Sequence, residues 1–353
     1  MKKEFKVSDS TAIKGVAILL LLFHHLFFKM EANKDIGVAF LTNERILRIA
    51  IFSKICVSIF AFITGYGLTK SFMKSQENVE NWLPQRVKRN ITSCWYAVAL
   101  SMIIPEIIEH KASRFYFDGE FTHGLIRLCS TYLCLDRVLH HRLYNGSWWY
   151  LSALLIFTLM IPVFYFLVKK LGVSTSILIV VIAPRIISNG DGGKATNAIS
   201  FFMPLLFGVI FAYYDLFVKL NNYNQIVEAI ILAILVVVSY KLYLQLVDSN
   251  YWEIYWGIIP TVVIVFLYRC IVWIPILTNV LQFIGKHSLS IFLTHAYIRA
   301  DYMHDYIYAR DNFIEMFVIT LLASLLLAFL VDKSNELLKK GIKALSTSVK
   351  KSK

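Results

Sequence analysis

Uncharged runs of 14 to 26 residues recur from one end of this 353-residue chain to the other. Each is close to the roughly 20 residues a helix needs to cross a bilayer. Charged residues make up 17% of the sequence, hydrophobic residues 58%, and the mean hydropathy is +0.61, whereas a soluble domain carries about 25% charge. A soluble globular fold is therefore excluded. The longest polar stretch between the runs is about 40 residues, less than a domain usually needs to bury a core of its own. The sequence reads as one all-α membrane domain over residues 1–353, ending in a basic tail at 333–353.

Ten spanning segments are expected, at about 11–29, 48–69, 91–108, 147–168, 171–188, 197–215, 226–247, 253–269, 280–298 and 314–332. The apolar stretch Cys270 to Gly285 contains Pro275 and could form a short re-entrant or interfacial piece before the ninth. Lys2, Lys3 and Lys6 precede the first segment as in a signal peptide, but no small-residue cleavage site follows, so a retained helix is expected. With both termini cytoplasmic, the inner side holds 20 Lys and Arg against 8 Asp and Glu, and the outer loops hold 14 against 15. The net charge of +13 then follows from the positive-inside rule and gives no reason to expect nucleic acid. Anionic-lipid attraction is an additional expectation for the tail. Two outer loops, 109–146 and 299–313, mix His, Arg, Asp and aromatics.

Lys14 and His25 are the most informative pair. Eleven positions separate them, which turns a helix three times plus about 20° and advances it by roughly 16 Å. They share one face at two depths, and His24 lies about 80° off that line. Ionisable groups inside a span are costly and usually face a cavity. The bland alternative, an end-of-helix anchor and a headgroup-level histidine, is about equally compatible with the residues alone. Lys54 lies within the second span, where it either snorkels or lines a cavity. Trp148 and Trp149 open the fourth span, where interfacial belt residues are the default and sugar stacking the alternative. Cys129 and Cys134 share a polar loop without forming a metal or disulfide pattern, and His140-His141 has no ligand spacing around it, so no metal is expected.

Lys14, ten residues and His25 resemble the Arg-x10-His signature of the bacterial membrane acyltransferase-3 family, with Lys in place of Arg. That replacement keeps the charge and loses the guanidinium fork. Five further segments resemble the family's motifs in order. They are the Phe-rich run ending at Gly65-Tyr66-Gly67, Arg86-Val-Lys88-Arg89, Trp148-Trp149-Tyr150-Leu151, Phe201 to Gly208, and Gly285-Lys-His-Ser288-Leu-Ser-Ile-Phe-Leu-Thr-His295.

The resemblance implies about ten helices in the bacterial cytoplasmic membrane. It implies an O-acyltransferase that moves acetyl, or another short acyl group, from cytoplasmic acyl-CoA to a hydroxyl of a surface polysaccharide or lipid-linked sugar. Acetyl-CoA is then a substrate, and no permanently bound cofactor is expected. His25 is the expected base or transient acyl carrier, with Lys14 on the same stripe. Arg86, Lys88 and Arg89 are expected to bind the donor's phosphates, or else to be topology anchors. His24, Lys54, Tyr66, Trp149, Tyr150 and Ser288 are the expected acceptor or cavity residues. His287 is expected to be an interfacial or packing histidine, not a second base. A secondary transporter or glycan exporter is the competing class; it predicts internal repeats and matching broken helices, neither of which is evident. A non-catalytic assembly or sensor protein is a third, weaker reading.

Overall fold

In a computed structural model the described residues are 4–28, 35–39, 41–187, 197–220, 225–247, 249, 251, 253–271 and 274–351. Lys2, Lys3 and the last two residues of the basic tail lie outside them. The described residues form helices joined by turns, with no strand among them and one isolated bridge between Val38 and Leu41. In chain order the α-helices are α1 Val7–Phe27, α2 Asn43–Ser53, α3 Cys56–Lys74, α4 Val79–Glu109, α5 Lys111–Phe117, α6 Phe121–Tyr132, α7 Trp149–Ile187 and α8 Phe202–Tyr213. They continue as α9 Leu216–Leu220, α10 Gln225–Leu246, α11 Ile259–Phe266, α12 Pro275–Lys286, α13 Ser288–Ala296, α14 His304–Tyr308 and α15 Phe313–Lys351.

Six stretches are long and apolar enough to cross a membrane, and α12 with the α13 region makes a seventh if that pair, bent by 60°, is one span. The expected segments at 197–215 and 253–269 are shorter apolar helices, Ala198–Tyr213 and Ile254–Cys270. The expected fourth and fifth segments run together as α7, broken where Gly172 adopts φ 78°. Within 48–69 the chain makes two helices, because Lys54 and Ile55 form a turn between α2 and α3. Lys54, and Lys286 within the expected segment 280–298, therefore stand at helix breaks. A break frees the stem of a lysine to reach a polar environment.

Close helix contacts explain two of the sequence motifs. A Cβ on Gly65 would collide with the backbone carbonyl of Leu205, and one on Gly208 with that of Phe62. The Phe-rich runs of α3 and α8 meet through these two glycines, the small-residue contact that membrane helices use in place of a hydrophobic drive. Gly15 and Gly285 do the same for α1 and α12, against the carbonyls of Leu281 and Thr11. α1 is thus locked against α12, and its Lys14–His25 face is fixed in rotation.

The stretch 109–146, expected as an outer loop, is instead a folded cap. Tyr116, Tyr144 and Trp148 pack with Cys94, Leu293 and Tyr297 in a cluster separate from the main core. Tyr116 and Tyr144 stack at 5.7 Å, and the Arg127 guanidinium lies 4.8 Å from the Phe115 ring centroid. Burial raises the Asp136 carboxyl above the ordinary carboxylate range, and the Thr131 hydroxyl donates to it at 3.1 Å. Cys134 packs with its sulfur 3.7 Å from that of Cys94 in α4, while Cys129 is exposed. At the opposite end, Lys169 of α7 donates to Glu77 at 2.7 Å and holds that carboxylate below its usual range.

Candidate active site

The Lys14–His25 face of α1 meets cavities at both depths. Around Lys14 there are two, which share Lys14, Ile63, Gly67 and Arg86. The wider, about 600 Å³, is lined by Lys6, Lys14, Lys70, Lys74 and Arg86, with Glu4 and Asp215. Lys70 is hydrogen-bonded to Asp215. The narrower chamber, about 310 Å³, continues from it between Phe60, Tyr150, Ser288 and Phe292. At the other depth, His25 lines a separate pocket of about 280 Å³ with Tyr144, Asn145, Tyr297, Arg299 and Asp301. Lys14 and His25 do not face one chamber.

What joins the two is a line of rings. Tyr150 and Phe292 line the Lys14 chamber with centroids 5.8 Å apart. Phe292 stands 6.4 Å from His295, and His295 stands 5.0 Å from His25. His295 is 1% exposed. Its Nδ1 faces the carbonyls of Phe292 at 2.9 Å and Ile291 at 3.2 Å. Carbonyls only accept, so Nδ1 carries the hydrogen and Nε2 is left as the lone pair. Among the described residues nothing satisfies Nε2. An unpaired buried acceptor beside a second imidazole is costly in an apolar span. A proton-handling pair gives it a use.

The other expected residues separate by helical phase. Arg86 turns into the cavity and is hydrogen-bonded to Ser71, which also accepts from Trp82 Nε1 at 3.1 Å. One turn on, Asn90 lines the same chamber and donates to Thr158 at 2.6 Å. Lys88 and Arg89 are exposed and line neither cavity. The Arg-x-x-Arg segment thus brings one cation to the cavity.

His24 is turned away from the stripe. Its Nδ1 donates to the Ala50 carbonyl at 2.8 Å, so it ties α1 to α2. Lys54 lies over the rings of Trp256 and Phe28, at 5.4 and 5.9 Å. Tyr66 lies at the Lys14 mouth, with Phe5 4.9 Å away, not near His25. Tyr150 and Ser288 line the Lys14 chamber, whereas Trp149 packs against Phe201 at 5.9 Å. Trp148 is no belt residue: it is buried, and its Nε1 donates to the Leu293 carbonyl at 3.1 Å. His287 is buried with Nδ1 2.5 Å from Asp332 and so fastens the α12–α13 break to α15.

Sequence reasoning left His295 and Arg299 out of the site. His295 closes the Ser288 motif, seven residues on, which is a usable signal. Arg299 gives no such signal, because it sits in a π-helical turn, Tyr297–Tyr302, whose widened pitch the sequence does not announce. Among the described residues no cluster of His, Cys, Asp and Glu could hold a metal.

Compared with known proteins, residues 8–333 match the acyltransferase-3 family model, described as an acyltransferase domain. The chain belongs to the acyltransferase-3 family. No curated protein and no solved structure matches it. The match spans all six motif segments, so this is a membrane acyltransferase.

Proposed function

We propose that this acyltransferase moves acetyl from cytoplasmic acetyl-CoA to a hydroxyl of an extracytoplasmic or lipid-linked glycan, in the bacterial cytoplasmic membrane. Both termini are cytoplasmic in this reading, as the charge bias requires. One observation carries it. A cation-lined cavity and a histidine pocket lie at the two depths of one helix face, and Tyr150, Phe292 and His295 connect them.

CoA is a phosphate-bearing polyanion. Lys6, Lys14, Lys70, Lys74 and Arg86 outnumber Glu4 and Asp215 around the wide cavity, so the nucleotide end belongs there. The pantetheine arm is narrow and largely apolar, and it fits the chamber between Phe60, Tyr150 and Phe292. That directs the thioester toward His295 and His25.

As base, His25 removes the hydroxyl proton while the oxygen attacks the thioester carbonyl. The tetrahedral intermediate collapses by breaking the C–S bond, and the imidazolium returns its proton to the CoA thiolate. As acyl carrier, an imidazole nitrogen attacks the thioester carbonyl, the C–S bond breaks and the ring's N–H proton passes to the CoA thiolate; the hydroxyl then attacks the acyl-imidazole, takes the acetyl group and returns its proton to the ring. The two routes differ in one measurable step. Exchange of labelled CoA into acetyl-CoA by purified protein without acceptor occurs only in the second.

The proposal as a whole is tested by comparing glycan O-acetylation in cells with and without the gene. Transfer should disappear with the gene and return with the wild-type chain. Unchanged acetylation contradicts it. Reporter fusions at the C-terminus should report a cytoplasmic end, and an exported signal would mean an odd number of spans.

A further inference from the structure

The His25 pocket holds a charge that the transfer reaction described above does not use. Three of its lining side chains carry formal charge: Lys111, Arg299 and Asp301. Two of them are matched, since Lys111 Nζ lies 2.7 Å from Asp301 Oδ2 and 5.7 Å from the Tyr297 ring centroid. Arg299 is not matched. Among the described residues no carboxylate pairs with it, and its half-buried side chain has an Nε closed off from solvent without a hydrogen bond. The Tyr144 hydroxyl in the same pocket is also buried without a partner.

A guanidinium taken partly out of water loses hydration that a protein normally replaces with a carboxylate. Here the site leaves it facing a pocket. It stands close enough to His24, His25 and His295 for its charge to bear on all three rings. Its placement is built in, because Arg299 is the fourth residue after His295, in the π-helical turn that directly follows that residue's helix. An uncharged polyol would give the tyrosine hydroxyl a partner but leave the cation bare. A group with two negatively charged oxygens would satisfy the guanidinium bidentately.

We propose that the pocket takes an acceptor bearing an anionic group, a carboxylate or a phosphate, which Arg299 holds while a neighbouring hydroxyl is presented to His25. The inference rests on His25 marking the acceptor end of the path. Lys111 is excluded as the main anchor by its pairing with Asp301, so Arg299 is the residue that sets the preference for charge.

The test reads occupancy of the pocket, not transfer. Diethyl pyrocarbonate labels neutral imidazole, and mass spectrometry of the full chain in nanodiscs reports the adduct on His25 alone. The probes are methyl glucuronide, glucose 6-phosphate and the uncharged methyl glucoside. At least one of the anionic probes should protect His25 at about tenfold lower concentration than the glucoside, and the better of the two identifies the source of the charge. Arg299→Gln should erase that advantage, and Arg299→Lys should keep part of it. Equal protection by all three probes in the wild type, or an anion preference that survives Arg299→Gln, overturns the proposal. Anion-selective protection in a protein that transfers no acetyl group would instead leave this site standing and refute the transfer reading.

Discussion

The cavity around Lys14 and the pocket around His25 sit on one helix face, yet they differ in how their polar groups are committed. In the former, cations outnumber carboxylates along a wide lining, and Arg86 is steadied by Ser71. In the latter, one imidazole, two tyrosines, a paired Lys111 and Asp301 and a single unmatched guanidinium surround a smaller space. A cationic surface of that breadth suits a flexible polyanion bound by charge. A small pocket with individually placed donors and acceptors suits a sugar, which is recognised by geometry. In the proposed reading the first is the donor site and the second the acceptor site, with the ring line from Tyr150 to His295 between them.

That comparison breaks most visibly at His25. His25→Ala should lower transfer by about 10² to 10⁴-fold, the usual contribution of a positioned base or more, with abundance in the membrane unchanged. Acetyl transfer by purified protein measures it. A residual rate within a few-fold of wild type would remove His25 from the chemistry.

His295→Asn comes next, with a loss of about 10 to 100-fold in kcat and little change in either KM. Asn keeps a buried polar group while removing the second imidazole, so a rise in KM alone would assign His295 to packing. The donor end should respond differently. Lys14→Ala and Arg86→Ala should each raise KM for acetyl-CoA by about tenfold, the value of one charge-assisted contact, whereas Lys14→Arg stays active. Varying acetyl-CoA at saturating acceptor separates these from chemical defects. Arg89→Ala and Lys88→Ala, on the exposed side of α4, should change KM less than twofold. His24→Ala should be the mildest histidine variant, with loss of stability from the Ala50 bond of about 1 kcal/mol and a near-normal rate.

How much of this was legible beforehand depended on periodicity. The Lys14–His25 spacing places both on one face because a long apolar helix is regular, and α1 has no break between them. The same regularity separates His24 from His25. Legibility failed where the helix was not regular. The break at Lys54 and Ile55 divides an apolar run that composition alone reads as continuous. The bend at His287 turns α12 against α13 by 60°, and the π-helical turn after Ala296 carries Arg299 into the pocket. The cap was missed for a related reason. Its stability comes from contacts such as Tyr144 with Tyr116 and Trp148 with the Leu293 carbonyl, pairs that local sequence does not announce. Arg86 and Arg89 show a further limit: the motif names both and they are only about 60° apart around the helix, yet Arg86 alone lines the cavity and Arg89 is exposed.

The most direct test of the central claim, that one stripe of α1 links a donor cavity to an acceptor pocket, uses purified protein in nanodiscs with acetyl-labelled acetyl-CoA and the native glycan. The wild-type chain and His24→Ala should move label to the glycan, Lys14→Ala should approach the wild-type rate only at raised acetyl-CoA, and His25→Ala should stay at least about 100-fold below wild type at every donor concentration. If His25→Ala transfers label as fast as the wild type, or if raised acetyl-CoA rescues it as it rescues Lys14→Ala, the assignment of the two ends is wrong.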